Sequence, residues 1–328
     1  MMKRKTGYSI LVLLLLWSCE DTITAQQATA TLADPTILYH QNIFYLYGTG
    51  ANSSTGFFVY TSKDLVNWSG PEGKNGGYAL KKGDAFGDKG FWAPQVFEHN
   101  GKFYMAYTAN EQIAIAVSDS PLGPFRRQQK DSLSGPGKQI DPYIFRDDDG
   151  SLYMYHVRLT SGNRIYVAKL KPDLSDVDTA TAREALHAEP GWENTRNAEW
   201  PVAEGPTVIK HKGKYYLIYS ANDFRNPDYA VGYAVSDHPM GPWIKQKQSP
   251  VISRSNIGIY GTGHGDILIL PNGEMKYAMH THHDSATVAP RLTGIVDIRF
   301  EKGDEFEKLV VEPASFRYLT IPRSVSAN

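Results

Sequence analysis

Three acidic residues stand out because each lies in a short phrase of a kind that recurs along the chain. The phrases are Ala33-Asp34-Pro35, Ile140-Asp141-Pro142 and Ala203-Glu204-Gly205-Pro206. Carboxyl groups that share one pocket repel one another, and burial raises the cost, so their pKa values must spread. A protonated carboxyl can then donate to a leaving oxygen while an ionised one activates water on the opposite face. The three residues are therefore candidates for acid–base hydrolysis.

Two further phrases occupy corresponding places, so the chain contains five similar units. They are Trp92-Ala93-Pro94-Gln95 and Gly263-His264-Gly265-Asp266. About a dozen residues after each phrase, a turn rich in Gly, Asn or Asp leads into an aromatic-rich alternating segment, which is typical of a β-strand. Units two and four also end in nearly identical turns, Ser118-Asp119-Ser120-Pro121 and Ser236-Asp237-His238-Pro239, which argues against chance similarity.

The repeat predicts a single all-β domain. One unit cannot bury its own apolar face, so neighbouring units must stack around a shared core. A spacing of about sixty residues suits a four-stranded blade with its loops. We therefore expect a five-bladed β-propeller, with four-stranded antiparallel blades around a central channel, over residues 31–320.

Each phrase would begin the innermost strand of its blade, so five polar side chains would meet at one end of the channel. They are Asp34, Gln95, Asp141, Glu204 and His264. The prolines that follow Asp34 and Asp141 favour an extended backbone at both positions. Gly205 would allow a neighbouring group to approach the backbone closely.

The composition excludes several functional classes. The 328 residues carry 34 basic and 35 acidic side chains, a net charge of -1, and no basic run. Nothing therefore indicates nucleic acid or an anionic surface as a partner. Because Cys19 is the single cysteine, the folded part has no disulfide, no thiol nucleophile and no cysteine-based zinc site.

The first nineteen residues read as an export signal. A basic start precedes an apolar run at 10–17 that is too short to span a bilayer. The ending Leu16-Trp17-Ser18-Cys19 resembles a bacterial lipobox, whose cysteine is acylated and becomes the mature N-terminus. We expect a lipoprotein-type signal peptide at 1–19 and a flexible tether at 20–30.

This leader predicts an outer-membrane or cell-surface lipoprotein anchored at Cys19. The lipid would then be the only contact with a membrane. The alternative is a periplasmic or secreted protein that is cut near Ala25 and has lost Cys19 with the signal peptide.

In combination, the phrases resemble glycoside hydrolase family 43, the five-bladed propeller glycosidases. The resemblance covers residues 33–300, and the acidic phrases and Trp92-Ala93-Pro94 fall in the family's order. It implies an inverting mechanism, with Asp34 as general base and Glu204 as general acid. Asp141 would orient the acid and raise its pKa. The implied substrate is an oligo- or polysaccharide, and no cofactor is required.

The resemblance also suggests binding residues. Arg291 matches an arginine that contacts the sugar, and a surface salt bridge is the alternative. His264 matches a channel histidine near a structural calcium, reached directly or through water, and a buried histidine bonded to backbone is the alternative. Trp92 would stack on a sugar or pack between blades. The substrate-binding candidates are Trp92, Gln95, His156, His264 and Arg291, with Arg158 beside His156.

A histidine cluster, His280-Thr281-His282-His283-Asp284, also invites a zinc interpretation. It lacks a matching set of carboxylates or cysteines, and it follows a predicted strand. We expect it to form a loop near the pocket.

The expected activity is the exo-acting removal of a terminal pentose, an α-L-arabinofuranosyl group, from a plant polysaccharide side chain. β-Xylosidase or xylanase activity and exo-galactanase activity stay open, because the carboxylates act on the glycosidic oxygen and do not select the sugar. Specificity would come from rim loops at 69–90 and 184–196. Two other classes are a propeller that binds carbohydrate without cleaving it and a protein-interaction propeller, which would need a surface patch that the sequence does not show.

Overall fold

The structure, a computed structural model, describes residues 27–323, so the expectations for the leader, for Cys19 and for the first part of the tether lie outside it. In this range the chain is all β apart from one short helix, α1 (Arg254–Ile257). Five antiparallel sheets follow one another, and their first strands contact each other in a closed ring. The predicted five-bladed β-propeller is confirmed. No helix between residues 27 and 323 is long and apolar enough to cross a bilayer.

Each blade is a meander whose first strand faces the central channel. The described chain begins with β1 (Gln27–Thr29). Blade one comprises β2 (Ala33–His40), β3 (Ile43–Thr49), β5 (Tyr60–Ser62) and β6 (Trp68–Ser69), beside a ribbon of β4 (Gly56–Phe58) and β7 (Tyr78–Lys81). Blade two comprises β8 (Trp92–His99), β9 (Lys102–Ala109) and β10 (Gln112–Ser118).

The remaining three blades have four strands each. Blade three comprises β11 (Gln139–Arg146), β12 (Leu152–Leu159), β13 (Asn163–Leu170) and β14 (Val177–His187). Blade four comprises β15 (Ala203–His211), β16 (Lys214–Ala221), β17 (Ala230–Ser236) and β18 (Ile244–Lys245). Blade five comprises β19 (Gly263–Ile269), β20 (Met275–Thr281), β21 (Leu292–Glu301) and β22 (Lys308–Tyr318), and β23 (Thr320–Pro322) pairs with β1.

Several boundaries differ from the prediction. Blade two has three strands, and an isolated bridge between Val117 and Arg126 stands where a fourth would pair. The expected tether is wrong at its end, because residues 27–29 form β1 and Ala30 is fully buried. Neither predicted rim loop is entirely a loop: segment 69–90 contains β7, whose apolar side chains enter the core, and segment 184–196 begins inside β14.

Five clusters of buried side chains fill the spaces between successive blades, and the cluster between blades five and one also includes Ala30 and Ile321, near the two ends of the described range. Tyrosines of the second strands enter these clusters. Tyr47 donates to the carbonyl of Pro121 at 2.6 Å, and Tyr155 donates to the carbonyl of Pro239. Both prolines belong to the nearly identical turns, so those turns recur because each satisfies a buried hydroxyl of the preceding blade.

Candidate active site

The phrases converge through an irregularity that all five blades share. The first strand of each blade slips out of register with the second near its start. One residue there has a left-handed backbone: Asp34, Ala93, Asp141, Gly205 and His264, with φ of 50°, 46°, 57°, 59° and 40°. The extended backbone expected at Asp34 and Asp141 is therefore wrong. The reason is a β-bulge, which bends the strand and re-aims the side chain.

The bulge also corrects the predicted alignment in blade two. Ala93, not Gln95, is the residue equivalent to Asp34. The amide of Gln95 donates to the carbonyl of Ile144 at 3.1 Å and accepts from the Ile144 N–H at 2.6 Å. Gln95 thus joins blades two and three and lines the narrow part of the channel. Its predicted contact with a sugar is not favoured, because its amide is already hydrogen-bonded to Ile144.

One cavity at the end of the channel brings the three acids together. It has a volume of about 520 Å³, which is of the size that small ligands occupy. Asp34, Asp141 and Glu204 all line it and are buried. Trp92 and Arg291 also line it, as the sequence predicts for a binding pocket.

Asp34 is surrounded by nitrogen atoms. Arg291 Nη1 and His280 Nδ1 each lie 3.1 Å from Asp34 Oδ1, and His264 Nδ1 lies 3.4 Å from the same oxygen. Burial alone would raise the pKa of Asp34, but Arg291 and the two histidines outweigh it and hold that pKa well below its usual value. Burial lowers the pKa of both histidines, that of His280 to about 3. Arg291 is therefore the cation that keeps Asp34 ionised at neutral pH.

Glu204 has neutral partners instead. It lies one residue before the bulge at Gly205. Its Oε1 accepts from the Tyr229 hydroxyl at 2.8 Å, and its Oε2 accepts from Asn163 Nδ2 at 2.9 Å. Burial raises the pKa of Glu204 to about 7, against these two hydrogen bonds and with the help of the Asp34 charge. Glu204 is thus largely protonated below neutral pH.

Asp141 interacts with both of the other acids. Burial, the charge of Glu204 and the charge of Asp34 raise the pKa of Asp141 well above its usual value, although the Gly205 N–H donates to it. Repulsion between two carboxylates is mutual. The pair of Asp141 and Glu204 therefore keeps at least one proton near neutral pH, while Asp34 is ionised.

His264 sits where the channel narrows beneath the acids. Its Nδ1 lies 3.8 Å from Asp141 Oδ2. A Cβ on Gly205 would lie 2.8 Å from His264 Cγ, so the close approach expected at this glycine is confirmed. The space below is about 20 Å³, and no group of three or more His, Cys, Asp or Glu side chains within residues 27–323 is arranged to hold a metal ion. Calcium near His264 therefore stays a prediction.

Two blade-three candidates are displaced from the cavity. His156 is fully buried inside the blade and does not line the cavity, so its predicted contact with the substrate is wrong. It shares a strand face with Met154, which packs between blades two and three. Arg158 donates to His156 Nε2 at 3.4 Å and stacks on Tyr166, with its guanidinium carbon 4.3 Å from the ring centroid.

The histidine cluster does not converge on one point. His280 and Thr281 end β20, and the predicted loop therefore begins later than expected. His280 contacts Asp34, whereas His282 Nε2 lies 2.7 Å from the carbonyl oxygen of Phe224. His283 is exposed. The side chains point to different partners, which does not support zinc coordination.

Several residues of the site were not found from the sequence. Asn163 and Tyr229 contact Glu204, and each lies in or beside an apolar strand that looks like ordinary core. His280 stands out in the sequence as part of the histidine cluster, but its contact with Asp34 was not predicted. Trp200 is half exposed at the rim and lines the same cavity. Its position three residues before Ala203-Glu204-Gly205-Pro206 was the only sequence signal that could have placed it near the site.

The comparisons with known proteins agree with this architecture. A family model described as glycosyl hydrolases family 43 matches residues 28–305. The chain is similar to the crystal structure of an endo-1,4-beta-xylanase from Bacteroides thetaiotaomicron, with a TM-score of 0.83 and 38% identity over 92% of this chain and 100% of that one. It is also similar to a thermostable family-43 glycoside hydrolase, with a TM-score of 0.75 and 36% identity over 93% and 99% of the two chains.

Curated relatives are more distant. A beta-xylosidase of Xylanibacter ruminicola is 28% identical over 48% of this chain, and an arabinoxylan arabinofuranohydrolase of Bacillus subtilis is 26% identical over 74% of it. The chain spans 57% and 58% of the lengths of these two relatives.

Proposed function

Because the chain belongs to glycosyl hydrolases family 43 and is a glycoside hydrolase, we propose that it removes terminal pentosyl groups from plant polysaccharides with inversion at the anomeric carbon. The first candidate group is α-L-arabinofuranosyl. The observation that carries this proposal is the opposite protonation of two acids on one cavity. Asp34 is held ionised, and Glu204 has a pKa of about 7.

In this mechanism, Asp34 takes a proton from a water molecule as the water oxygen attacks the anomeric carbon. Glu204 gives its proton to the glycosidic oxygen as the bond to the leaving group breaks. Asp141 stays close to Glu204, and its negative charge would favour the protonated acid. Arg291 and His280 stabilise the ionised base before the reaction. After the reaction, Asp34 releases its proton to solvent and Glu204 takes a proton from solvent.

A β-xylosyl specificity is the second candidate. The names of two similar proteins favour it: the endo-1,4-beta-xylanase that covers nearly the whole chain and the beta-xylosidase. The acids alone do not separate the two sugars, because they act at the glycosidic oxygen.

A substrate panel tests the proposal. Wild type and Glu204→Gln would be compared on aryl α-L-arabinofuranoside, aryl β-D-xyloside, an aryl β-galactoside, arabinoxylan and xylan, with products separated by chromatography. We expect wild type to release single pentose units, and Glu204→Gln to release none from the polysaccharides, whose leaving oxygen needs a proton. Proton NMR of the first product should show the inverted anomer. Binding of oligosaccharides without hydrolysis of any substrate would instead identify a carbohydrate-binding propeller, and a retained anomer would refute the assignment of Asp34 as base.

We also propose export with a lipid anchor at Cys19, on the sequence of the leader alone. Cys19→Ala should move the protein from the membrane fraction to the soluble fraction and abolish labelling with a fatty-acid analogue. Ser18→Ala, which keeps the cysteine, is the matched control. Unchanged membrane fractionation of Cys19→Ala would contradict the anchor.

A further inference from the structure

We propose that a groove on the rim of blade four binds the sugar on the leaving side of the scissile bond, with Trp200 as its stacking platform. The inference rests on the proposed function and names the part of the substrate that lies outside the catalytic cavity. The rim groove has a volume of about 560 Å³ and is lined by Asn194, Arg196, Ala198, Trp200, Asn222, Asp223, Arg225 and Asn226.

The rim groove adjoins the catalytic cavity. Trp200, Asp223 and Arg225 line both spaces. In the proposed binding mode, a ligand with one sugar beside the acids would place its next sugar in the groove, against Trp200. Because the two spaces share these three side chains, the groove would be a neighbouring subsite of the catalytic cavity.

The chemistry decides which side of the bond the groove serves. A general acid lies on the side of the leaving oxygen, and the base lies on the opposite face with the attacking water. Trp200 Nε1 donates to Asn163 Oδ1 at 2.9 Å, and Asn163 Nδ2 donates to Glu204 Oε2 at 2.9 Å. Trp200 is thus two hydrogen bonds from the acid, whereas Arg291 and His280 occupy the side of the base. The leaving sugar emerges towards Trp200.

The groove has the surface that an uncharged sugar needs. The Trp200 side chain is 50% exposed, and the hydrogen bond to Asn163 fixes the plane of its ring. A rigid aromatic face binds the apolar face of a sugar without losing much conformational entropy. Arg225 Nη2 pairs with Asp223 Oδ2 at 2.6 Å, so these two charges offset each other. Their remaining lone pairs and N–H groups suit hydroxyl groups.

Trp200 also sets the orientation of the Asn163 amide. An indole N–H can only donate, so Asn163 must turn its oxygen to Trp200 and its NH₂ group to Glu204. Loss of this N–H frees the amide to rotate and present its oxygen to Glu204. That rotation would favour protonated Glu204 and move the alkaline limb of the pH profile upward. This effect does not depend on the length of the substrate.

The test separates the platform from this orienting role with two variants of one residue. Trp200→Phe keeps an aromatic face but loses the N–H, and Trp200→Ala loses both. Each would be assayed on an oligosaccharide and on the methyl glycoside of the same terminal sugar, whose leaving group is too small to reach the groove. Trp92→Ala, at the other tryptophan of the cavity, is the comparison and should affect both substrates alike.

We expect Trp200→Phe to change both substrates to a similar extent and to shift the alkaline limb upward. Trp200→Ala should lower kcat/KM for the oligosaccharide by a further factor of about ten or more, in line with the loss of a stacking contact, and should add little for the methyl glycoside. Equal kcat/KM values of Trp200→Phe and Trp200→Ala on the oligosaccharide would refute the proposal that Trp200 stacks on the leaving sugar. If wild type hydrolyses no substrate, the proposed function fails, and oligosaccharide binding with and without Trp200→Ala still decides on the groove.

Discussion

Replacing Glu204 by glutamine should stabilise the protein at alkaline pH while it abolishes hydrolysis of unactivated substrates. Burial raises the pKa of Glu204 from 4.5 to about 7. Each pKa unit corresponds to about 1.4 kcal/mol, so ionising this group in the folded state costs about 3 kcal/mol more than in the unfolded chain. Glutamine has nearly the same shape and never ionises.

The contribution of Glu204 to stability should decrease as the pH rises, because its pKa is higher in the folded state than in the unfolded chain. A group whose pKa is raised in the folded state binds more protons there, so its favourable contribution is complete below the unfolded value of 4.5. It is lost as the pH rises through about 7. The melting temperatures of wild type and Glu204→Gln should therefore be similar near pH 4.5, should diverge as the pH rises from 4.5 to about 7, and should differ by a constant amount above that. For a domain of this size, about 3 kcal/mol corresponds to roughly 5–10 °C.

The assay is the melting temperature of both proteins from pH 4.5 to pH 9, followed by scanning calorimetry or dye fluorescence. Glu199→Gln removes an exposed carboxylate from the segment just before Ala203 and serves as the control, with a flat difference expected. In parallel, kcat/KM of wild type should fall as the pH rises through about 7. A Glu204→Gln protein that melts with or below wild type at pH 9 would refute the reasoning that Glu204 is a buried acid with a raised pKa.

Two further substitutions test the surroundings of the acids. Arg291→Ala should raise the pKa of Asp34, because burial is then opposed only by hydrogen bonds and neutral histidines. The acidic limb of the kcat/KM profile should move to higher pH, and Arg291→Lys should restore most of the wild-type profile. An unmoved limb in Arg291→Ala would contradict the role of Arg291 in keeping Asp34 ionised. Gly205→Ala should lower the free energy of unfolding in urea by about 1–3 kcal/mol more than Gly213→Ala does. Both glycines have positive φ, but only at Gly205 would a Cβ lie 2.8 Å from His264 Cγ. Equal losses in the two variants would show that no clash occurs.

The sequence predicted the ring of blades because its signals are local. The aromatic strands, the intervening turns and the acidic phrases each repeat within one unit, and a repeat of that length has few ways to stack. The same local view gave the wrong backbone at Asp34 and the wrong alignment at Gln95. A bulge depends on how two strands pair, and the residue types in one strand do not reveal it.

The partners of the acids were hidden for a different reason. Asn163, at the start of β13, and Tyr229, just before β17, are 41 and 25 residues away from Glu204 in sequence. His280 reaches Asp34 from the opposite end of the chain, because ring closure places blade five beside blade one. His156 shows the converse error. A polar residue in an aromatic strand has the same sequence context whether it faces the channel or the space between blades.

The difference between the two acids comes from the partners and not from the acids themselves. Burial is the largest cause acting on the pKa of both Asp34 and Glu204, and both accept hydrogen bonds that favour the charged form. What differs is Arg291: of the three acids its guanidinium pairs with Asp34, and it lies over the ring of Phe224 at 4.6 Å. This pairing keeps Asp34 ionised, as the proposed mechanism requires of the general base. The remaining two must then keep a proton, and the acid nearest the rim groove, Glu204, is placed to donate it.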